Sequence, residues 1–336
     1  MTNSDPFAEV RKRIRDARTI VLASHLKPDG DAIGSTLALA EFLKTLGKSV
    51  AVILPDGIPE LYHLLDYDFL PALTPAVAEA ADLAILLDTA VPARAGFTAN
   101  GYVPESLQHK LQLIDHHPDN PGYGTWNFLE HRAATAEIVF ELCESFQEKI
   151  PETCANFCLM GLMTDTGGFR FDNTDPASLR SAARLLEAGA NLNSVVNQIY
   201  FNKPYNQQRF ESELLEKHLY WTCSNKVAWA VVTGELLEKY KFDRRNSEGV
   251  IDQLRQLAGT EIVAIISRNS GRSYRISMRS KNPARPVAGL ARRFNGGGHA
   301  MAAGMSMEFD SYEAASQFFE QEIKTLFTAE ELKDCR

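Results

Sequence analysis

Short apolar runs alternate with amphipathic stretches along the first half of the chain. Residues 9–18 carry dense charge at helical spacing and predict a solvated first helix. TIVLASH (19–25) is a short β-rich apolar run and predicts a buried strand. It breaks at KPDGD, a turn composition. A helical pattern follows, AIGSTLALAEFLKTLG, closed by Gly47 as a C-cap. SVAVILP (49–55), LAILLDT (83–89) and KLQLIDHH (110–117) predict further strands. Strands this apolar, alternating with helices, imply a mostly parallel sheet covered on both faces. Such sheets bind ligands at the carboxyl ends of their strands. The unusual residues lie at those ends: His25 to Asp31, Asp88, and Asp115 to His117.

Further along, residues 134–149, 151–165 and 176–188 predict helices, the last closed by Gly189. The Asn-rich stretch that follows, ending in KPYN, reads as a linker. The pattern then restarts with a helix at about 206–220, a strand VAWAVVT (227–233) and a helix at 246–258. EIVAIIS (261–267) and SYRISMRS (273–280) flank NSG, a hairpin-type turn. A short helix and GGGHAMAAG close the domain. The organisation expected is α/β throughout: a larger domain over 1–189, a linker over 190–215 and a smaller α/β domain over 216–330.

Composition narrows the function. The chain has 336 residues, 45% of them hydrophobic and 23% charged, which excludes disordered and fibrous classes. No apolar run approaches the ~20 residues that span a bilayer. The N-terminus lacks an apolar signal region, and the five cysteines form no CxxC pair. A reducing, cytoplasmic location without membrane partners is therefore the expectation. The net charge of −8 speaks against a long polyanion as partner, but that charge is unevenly placed. Between Ile262 and Met307 stand eight Lys and Arg residues and no Asp or Glu, leaving −16 on the other 290 residues. A stretch of one sign favours an anionic ligand.

The candidate chemistry gathers in HLKPDGDAIGS (25–35), the Asp of LLDT, DHH (115–117) and the Asp of GLMTDTGG. His25, Asp29 and Asp31 can converge on cations from a loop leaving a strand. Gly30 would allow a tight turn, and Asp31 stands where a helix N-cap is expected. PDGD alone is also an ordinary turn composition. Four element ends that each deliver Asp or His are a different matter. Carboxylates with a minority of imidazoles suit Mn²⁺ or Mg²⁺ better than a thiolate-rich zinc site. A carboxylate shared by two ions makes a centre that activates water for displacement at phosphorus. In the second half, GGGH (296–299) offers backbone amides to a phosphate, and Arg275 and Arg279 share one face of a strand.

In order, these four motifs resemble those of the DHH phosphoesterase superfamily. RSKNPARPVAGLARRFNGGGHAMAAG (279–304) resembles its DHH-associated nucleic-acid-binding domain. The compact two-domain form resembles the bacterial oligoribonuclease (nanoRNase) and pAp phosphatase group. The resemblance implies a cleft between the two domains and two divalent cations, Mn²⁺ first, with Mg²⁺ or Co²⁺ as alternatives. His25, Asp29 and Asp88 would hold one cation. Asp31, Asp88, His116 and Asp165 would hold the other, with Asp88 bridging. His117 would act on the scissile phosphate, with Asp88 and Asp115 beside it as catalytic residues and Asp115 orienting. Arg94, Arg279, Ser280, Asn282, Gly296, Gly297, Gly298 and His299 would meet the substrate.

The implied activity is hydrolysis of RNAs roughly two to five nucleotides long to 5′-mononucleotides, a size that fits one short binding groove. Linear dinucleotides such as pApA are included, with removal of the 3′-phosphate of pAp at the same site. Superfamily members often dimerise, so a homodimer is a further expectation. A family-II-type inorganic pyrophosphatase shares the four motifs and is the second reading. A non-catalytic RNA- or nucleotide-binding module is the third.

Overall fold

The structure is a computed structural model that describes residues 5–59, 62, 67–97, 103–242 and 248–333. The chain forms two compact units that divide between Asn202 and Lys203.

In the first unit, β1 (Thr19–Ala23), β2 (Ser49–Ile53), β3 (Leu83–Leu87), β4 (Leu111–Asp115) and β5 (Trp126–Leu129) form a parallel sheet in the order β2-β1-β3-β4-β5. Period-two alternation sends the strand residues to two cores. Ile20, Leu22, Ile85, Leu87 and Ile114 meet the helices on one face. Val21, Ala23, Ala84, Leu86 and Leu113 meet Ala78, Leu107 and Phe97 on the other. The larger core is covered by α1 (Ala8–Asp16), α2 (Gly30–Thr45), α5 (Thr135–Ser145), α6 (Glu152–Asp165), α7 (Pro176–Glu187) and α8 (Leu192–Tyr200). The smaller core lies under α3 (Pro75–Ala80) and α4 (Glu105–Gln108). The strand order reverses direction at β1/β3, and the candidate residues follow β1, β3 and β4 at that switch point.

Several local expectations change. The α2 helix starts at Gly30 and is capped by Asp29, whose Oδ1 accepts from the amides of Asp31 and Ala32 at 3.1 and 3.0 Å. Asp31, expected as the cap, sits inside the first turn. Gly30 is needed for space rather than for a turn, since a Cβ there would collide with Thr164 and the Tyr62 hydroxyl. The Asn-rich stretch contains α8. Asn191 caps it, accepting from the Ser194 amide at 2.9 Å, and Val195 and Ile199 are buried in the first unit's core. Gly47 does follow α2 in the left-handed region, at φ +73°. The edge strand β5 was not foreseen; it is short and half-exposed, with a weak pattern.

The second unit contains α9 (Tyr205–Lys217), α10 (Gly234–Tyr240), α11 (Glu248–Arg255), α12 (Ala288–Arg293), α13 (Tyr312–Ile323) and α14 (Ala329–Lys333). Its strands are β6 (Leu219–Thr222), β7 (Val227–Val232), β8 (Ile262–Ser270), β9 (Ser273–Ser280), β10 (Gly297–His299) and β11 (Ala302–Glu308). They form a mixed sheet ordered β10-β11-β9-β8-β7-β6, in which only β7 and β8 pair in parallel among the described residues. Residues 246–247 of the expected helix lie outside the described residues, as does Cys335. The other four cysteines are buried and form no disulfide among the described residues. No helix of the described residues is long and apolar enough to cross a membrane.

The contact that places the site is between two glycines. A Cβ on Gly34 of α2 would lie 2.6 Å from the Phe157 carbonyl oxygen and 2.8 Å from the Gly161 nitrogen of α6. Backbone cannot give way as a flexible side chain can. Gly34→Ala is therefore expected to force α2 and α6 apart and lower stability by about 1–3 kcal/mol, read by urea unfolding. An unchanged unfolding midpoint would contradict this packing account.

Candidate metal centre

Three helix or strand ends and two loops meet at the carboxyl edge of the first sheet. His25 follows β1, and its Nε2 lies 3.9 Å from Asp29 Oδ2 and 3.7 Å from Asp88 Oδ2. His116 follows β4, and its Nε2 lies 3.6 Å from Asp88 Oδ1 and 3.9 Å from both Asp31 Oδ2 and Asp165 Oδ2. The two imidazoles thus face opposite oxygens of one carboxylate. Their other nitrogens fix the tautomers. His116 Nδ1 donates to the Arg132 carbonyl at 3.2 Å, and His25 Nδ1 donates to the Leu26 carbonyl at 2.9 Å. Arg94 Nη2 donates to the same Leu26 carbonyl at 3.3 Å, so its 3.1 Å approach to His25 Nδ1 is a contact between two donors. Both Nε2 atoms therefore face the carboxylates and would be the ligand atoms for a cation.

Each carboxylate is held by groups the sequence did not single out. Asp31 Oδ2 accepts from the Thr135 amide at 2.7 Å and Oδ1 from the Ala136 amide at 2.9 Å. These are the first two helical residues of α5, whose own N-cap, Ala134, has no side chain to offer. Asp31 caps that helix across space, and the helix N-terminus favours its negative charge. Thr135 also donates its hydroxyl to Asp88 Oδ1 at 3.0 Å. Asn173 Nδ2 donates to Asp165 Oδ2 at 3.2 Å and to the Ala133 carbonyl at 2.9 Å. Asp88 has φ +51°, the left-handed region, which Asp tolerates better than most residues and which aims its side chain off the strand. Polar residues at helix starts and loops are too common for Thr135 or Asn173 to have stood out in sequence.

Asp115 and His117 form a separate pair. Asp115 Oδ1 accepts from the His117 Nδ1 proton at 2.8 Å and from the His116 amide at 2.8 Å, while Asn120 Nδ2 reaches Oδ2 at 2.5 Å. This orients the His117 ring through its Nδ1.

The electrostatics ask for a cation. Asp31 and Asp88 are 1% and 2% exposed. Burial first, then the neighbouring carboxylates, pushes Asp31 well above the usual carboxylate range and Asp88 upward as well. Asp165 is pushed up to about 7, chiefly by burial. Burial works to lower the proton affinity of His116, but the facing Asp165, Asp88 and Asp31 outweigh it and push it up to about 9. Asp115 goes the other way: the His117 hydrogen bond overcomes burial and holds it low. Buried carboxylates of one sign are costly without a countercharge. His25/Asp29/Asp88 and Asp31/His116/Asp165 each bring one donor atom apiece to within 4.8 Å of the others. An oxygen-rich set with imidazole and no thiolate fits Mn²⁺ or Mg²⁺.

The DHH family N-terminal domain model matches residues 19–162, and the DHHA1 domain model matches 225–325. The chain is 30% identical over 312 residues to the bifunctional oligoribonuclease and PAP phosphatase NrnA of Thermus thermophilus, covering 90% of this chain and 87% of that one.

The chain belongs to the DHH family.

The Bacillus subtilis protein of the same name is 29% identical over 300 residues, covering 86% and 89% of the two chains. Among solved structures, an exopolyphosphatase-related protein from Bacteroides fragilis superposes with a TM-score of 0.82 at 25% identity, over 95% and 96% of the chains. The two family models fall on the two structural units, so this DHH-family chain carries its acidic centre and its basic stretch in separate bodies.

In the second unit, the basic stretch proves less free than its composition implied. Arg285 contacts Glu261 (2.6 Å) and Glu331, Arg272 pairs with Asp310 at 2.6 Å, and Arg293 pairs with Glu322 at 2.8 Å. Lys281 donates to the carbonyls of Arg255 and Leu257 at the end of α11. All four acidic partners lie outside the 262–307 window. Ser280 and Asn282 also turn inward: Ser280 is 2% exposed, and Asn282 Nδ2 donates to Glu261 at 2.7 Å. Of the other four basic residues, Arg268 donates to the Gly271 carbonyl, Arg292 lies on α12, Arg275 donates Nε to Ser277 Oγ at 3.2 Å and Arg279 donates to the Met278 carbonyl at 3.1 Å. Arg279 pairs across to Ala302, which pairs to His299, while Ser277 pairs to Gly304 and Gly304 to Gly297. Arg275, Ser277, Arg279, Ala302, Gly304 and His299 therefore share a face. Among the described residues, the core that α9–α11 build on this face takes in residues of β6, β7 and β8 but none of β9, β10 or β11. Gly296 and Gly298 permit the strand to lie close, since a Cβ at either would meet the β11 backbone.

A cation must displace the protons held by His116 and Asp165. Cation affinity is therefore expected to rise with pH, by up to about tenfold per unit for each proton displaced, between about pH 6 and pH 8.5. Calorimetry of Mn²⁺ binding in buffers of different ionisation enthalpy reads both the trend and the released protons. A pH-independent Kd with no proton release would contradict the assignment of these two groups.

Proposed function

We propose that this chain is a divalent-cation-dependent phosphoesterase that hydrolyses very short RNAs, including linear dinucleotides such as pApA, to 5′-mononucleotides and removes the 3′-phosphate of pAp. One observation carries the reading: Asp88 turns one oxygen toward His25 and the other toward His116, the arrangement expected of a carboxylate shared between two cations. His25, Asp29 and Asp88 would hold one ion. Asp31, Asp88, His116 and Asp165 would hold the second. When bound, the pair would polarise a phosphoryl oxygen and activate water, with Mn²⁺ the first candidate and Mg²⁺ or Co²⁺ the alternatives.

The remaining residues act on the substrate. His117 holds its Nδ1 proton against Asp115, and that hydrogen bond raises its proton affinity against the effect of burial. Its protonated form would offer an Nε2–H to the phosphate or a proton to the leaving oxygen. Arg94, exposed beside His25, adds a second positive charge. In the second unit, Arg279 with Arg275, the Gly296–Gly298 backbone and His299 would grip phosphate and base, with Ser280 and Asn282 holding the turn behind them. The names of the two NrnA relatives support this substrate class. The separate basic face suits a substrate longer than pyrophosphate.

The test offers dinucleotide, pentanucleotide, a long oligomer, pAp, pApA and pyrophosphate to purified protein with Mn²⁺ and with Mg²⁺, comparing initial rates. Short RNAs, pApA and pAp should be turned over faster than the long oligomer, and pyrophosphate least. A preference for pyrophosphate would replace this reading with the pyrophosphatase one. Asp88→Ala is expected to abolish all these activities. Recovery of most activity on adding Mn²⁺ would overturn the shared-ligand assignment. Arg279→Ala should raise KM for dinucleotide about tenfold, since one charged hydrogen bond is lost, with kcat little changed. A fall confined to kcat would place Arg279 elsewhere.

A further inference from the structure

Two carboxylates of the centre come from different elements, Asp31 from α2 and Asp88 from the end of β3. A single residue reaches both. Thr135 donates its backbone amide to Asp31 Oδ2 at 2.7 Å and its hydroxyl to Asp88 Oδ1 at 3.0 Å. It is completely buried. His116 and His117 approach the same Asp88 oxygen only to 3.6 and 3.5 Å, beyond hydrogen-bond distance. Oδ2, 3.7 Å from His25 Nε2, has no such donor in contact from that ring either.

The Asp88 backbone is in the left-handed region, a conformation that persists only where the surroundings over-determine it. The terminal torsion of an Asp is broad and roughly two-fold, so sterics alone do not choose which oxygen faces which imidazole. A hydrogen bond to one oxygen does. Thr is suited to this, because its branched Cβ leaves few rotamers and the amide-to-Asp31 bond anchors its backbone.

We propose that Thr135 is a positioning residue for the centre: its hydroxyl locks the Asp88 carboxylate so that one oxygen serves each cation site. The inference rests on the reading of Asp88 as the shared ligand. Without the hydroxyl the carboxylate is free to rotate, and the ordering that Thr135 supplies in advance must occur when the cations bind. Losses of such supporting hydrogen bonds around metal ligands run to about 10–100-fold in affinity or activity.

The experiment uses the full chain as wild type, Thr135→Val, Thr135→Ser and Thr135→Ala, titrated with Mn²⁺ by calorimetry and by the spin-resonance signal of the free ion. Turnover of a dinucleotide is measured in parallel. Thr135→Val keeps shape and backbone but lacks the hydroxyl. It should weaken Mn²⁺ binding about 10–100-fold and lower kcat with KM for the nucleotide little changed. Thr135→Ser restores the hydroxyl and should bind within a few-fold of wild type. If Thr135→Val does not fold, Thr135→Ala removes the same group without adding volume and should show the same loss. Wild-type affinity in the Val or Ala variant overturns the proposal, as does a Ser variant as weak as Val, which would make the methyl group the cause. No Mn²⁺ uptake by the wild-type chain overturns the metal reading itself and this inference with it, a result distinct from the other two.

Discussion

Like charges held close together in a buried place govern the first unit. Asp29, Asp31, Asp88 and Asp165 converge within a few ångström of two imidazoles, and burial pushes three of them toward the protonated form. Such a cluster is unfavourable in a bare protein and becomes favourable only with a countercharge. The fold answers part of the cost with its own dipoles. Two amides at the start of α5 stabilise Asp31, two at the start of α2 stabilise Asp29, and the Thr135 hydroxyl stabilises Asp88. What remains uncompensated is the part a pair of cations would neutralise. The same feature links stability to function: the groups that make the site costly when empty are those that would make it bind.

The scaffold's contribution is closeness. A parallel sheet delivers His25, Asp88 and Asp115 at the ends of adjacent strands, but Asp31 and Asp165 belong to helices that must approach almost backbone to backbone. Gly34 and Gly161 make that approach feasible, and a Cβ on Gly161 would also lie 2.8 Å from Asp31 Oδ1. Glycine in a helix interior costs about 0.5–1 kcal/mol relative to alanine, and here that loss is offset by an approach no larger residue would permit.

In the second unit, half of the basic stretch is held by acids or helix-end carbonyls. Arg285 and Lys281 are tied to carboxylates or to helix-end carbonyls, and Arg272 and Arg293 are paired at the surface, where such pairs stabilise little and release easily. Arg275 and Arg279 share a sheet face with Ser277, Ala302 and Gly304, and Arg275 donates to Ser277 and lies against Gly304 there. The −8 net charge and the local basic stretch are therefore compatible. The negative excess includes the acidic centre, and much of the stretch's positive charge is already paired with acids outside it.

The strands and helices that matter most were legible along the chain, because buried parallel strands are written as continuous apolar runs and helices as a 3.6-residue period. So were the residue types of the centre, since His25, Asp29, Asp31, Asp88, Asp115, His116, His117 and Asp165 all stand at element ends where a strand or helix hands over to a loop. Local sequence misassigned what depends on a distant partner. Asp31 looked like the cap of its own helix and caps another one 104 residues away, while Asp29 took the local role. Thr135 and Asn173 are ordinary small polar residues until the fold sets them against Asp88 and Asp165. Basic residues counted over 262–307 looked unpaired because their acids lie outside that window. The sequence by itself determined the elements and the chemical groups, because both follow from periodicity and residue type. Which oxygen meets which donor was decided by tertiary structure alone, because it depends on side chains that come together only when the chain is folded.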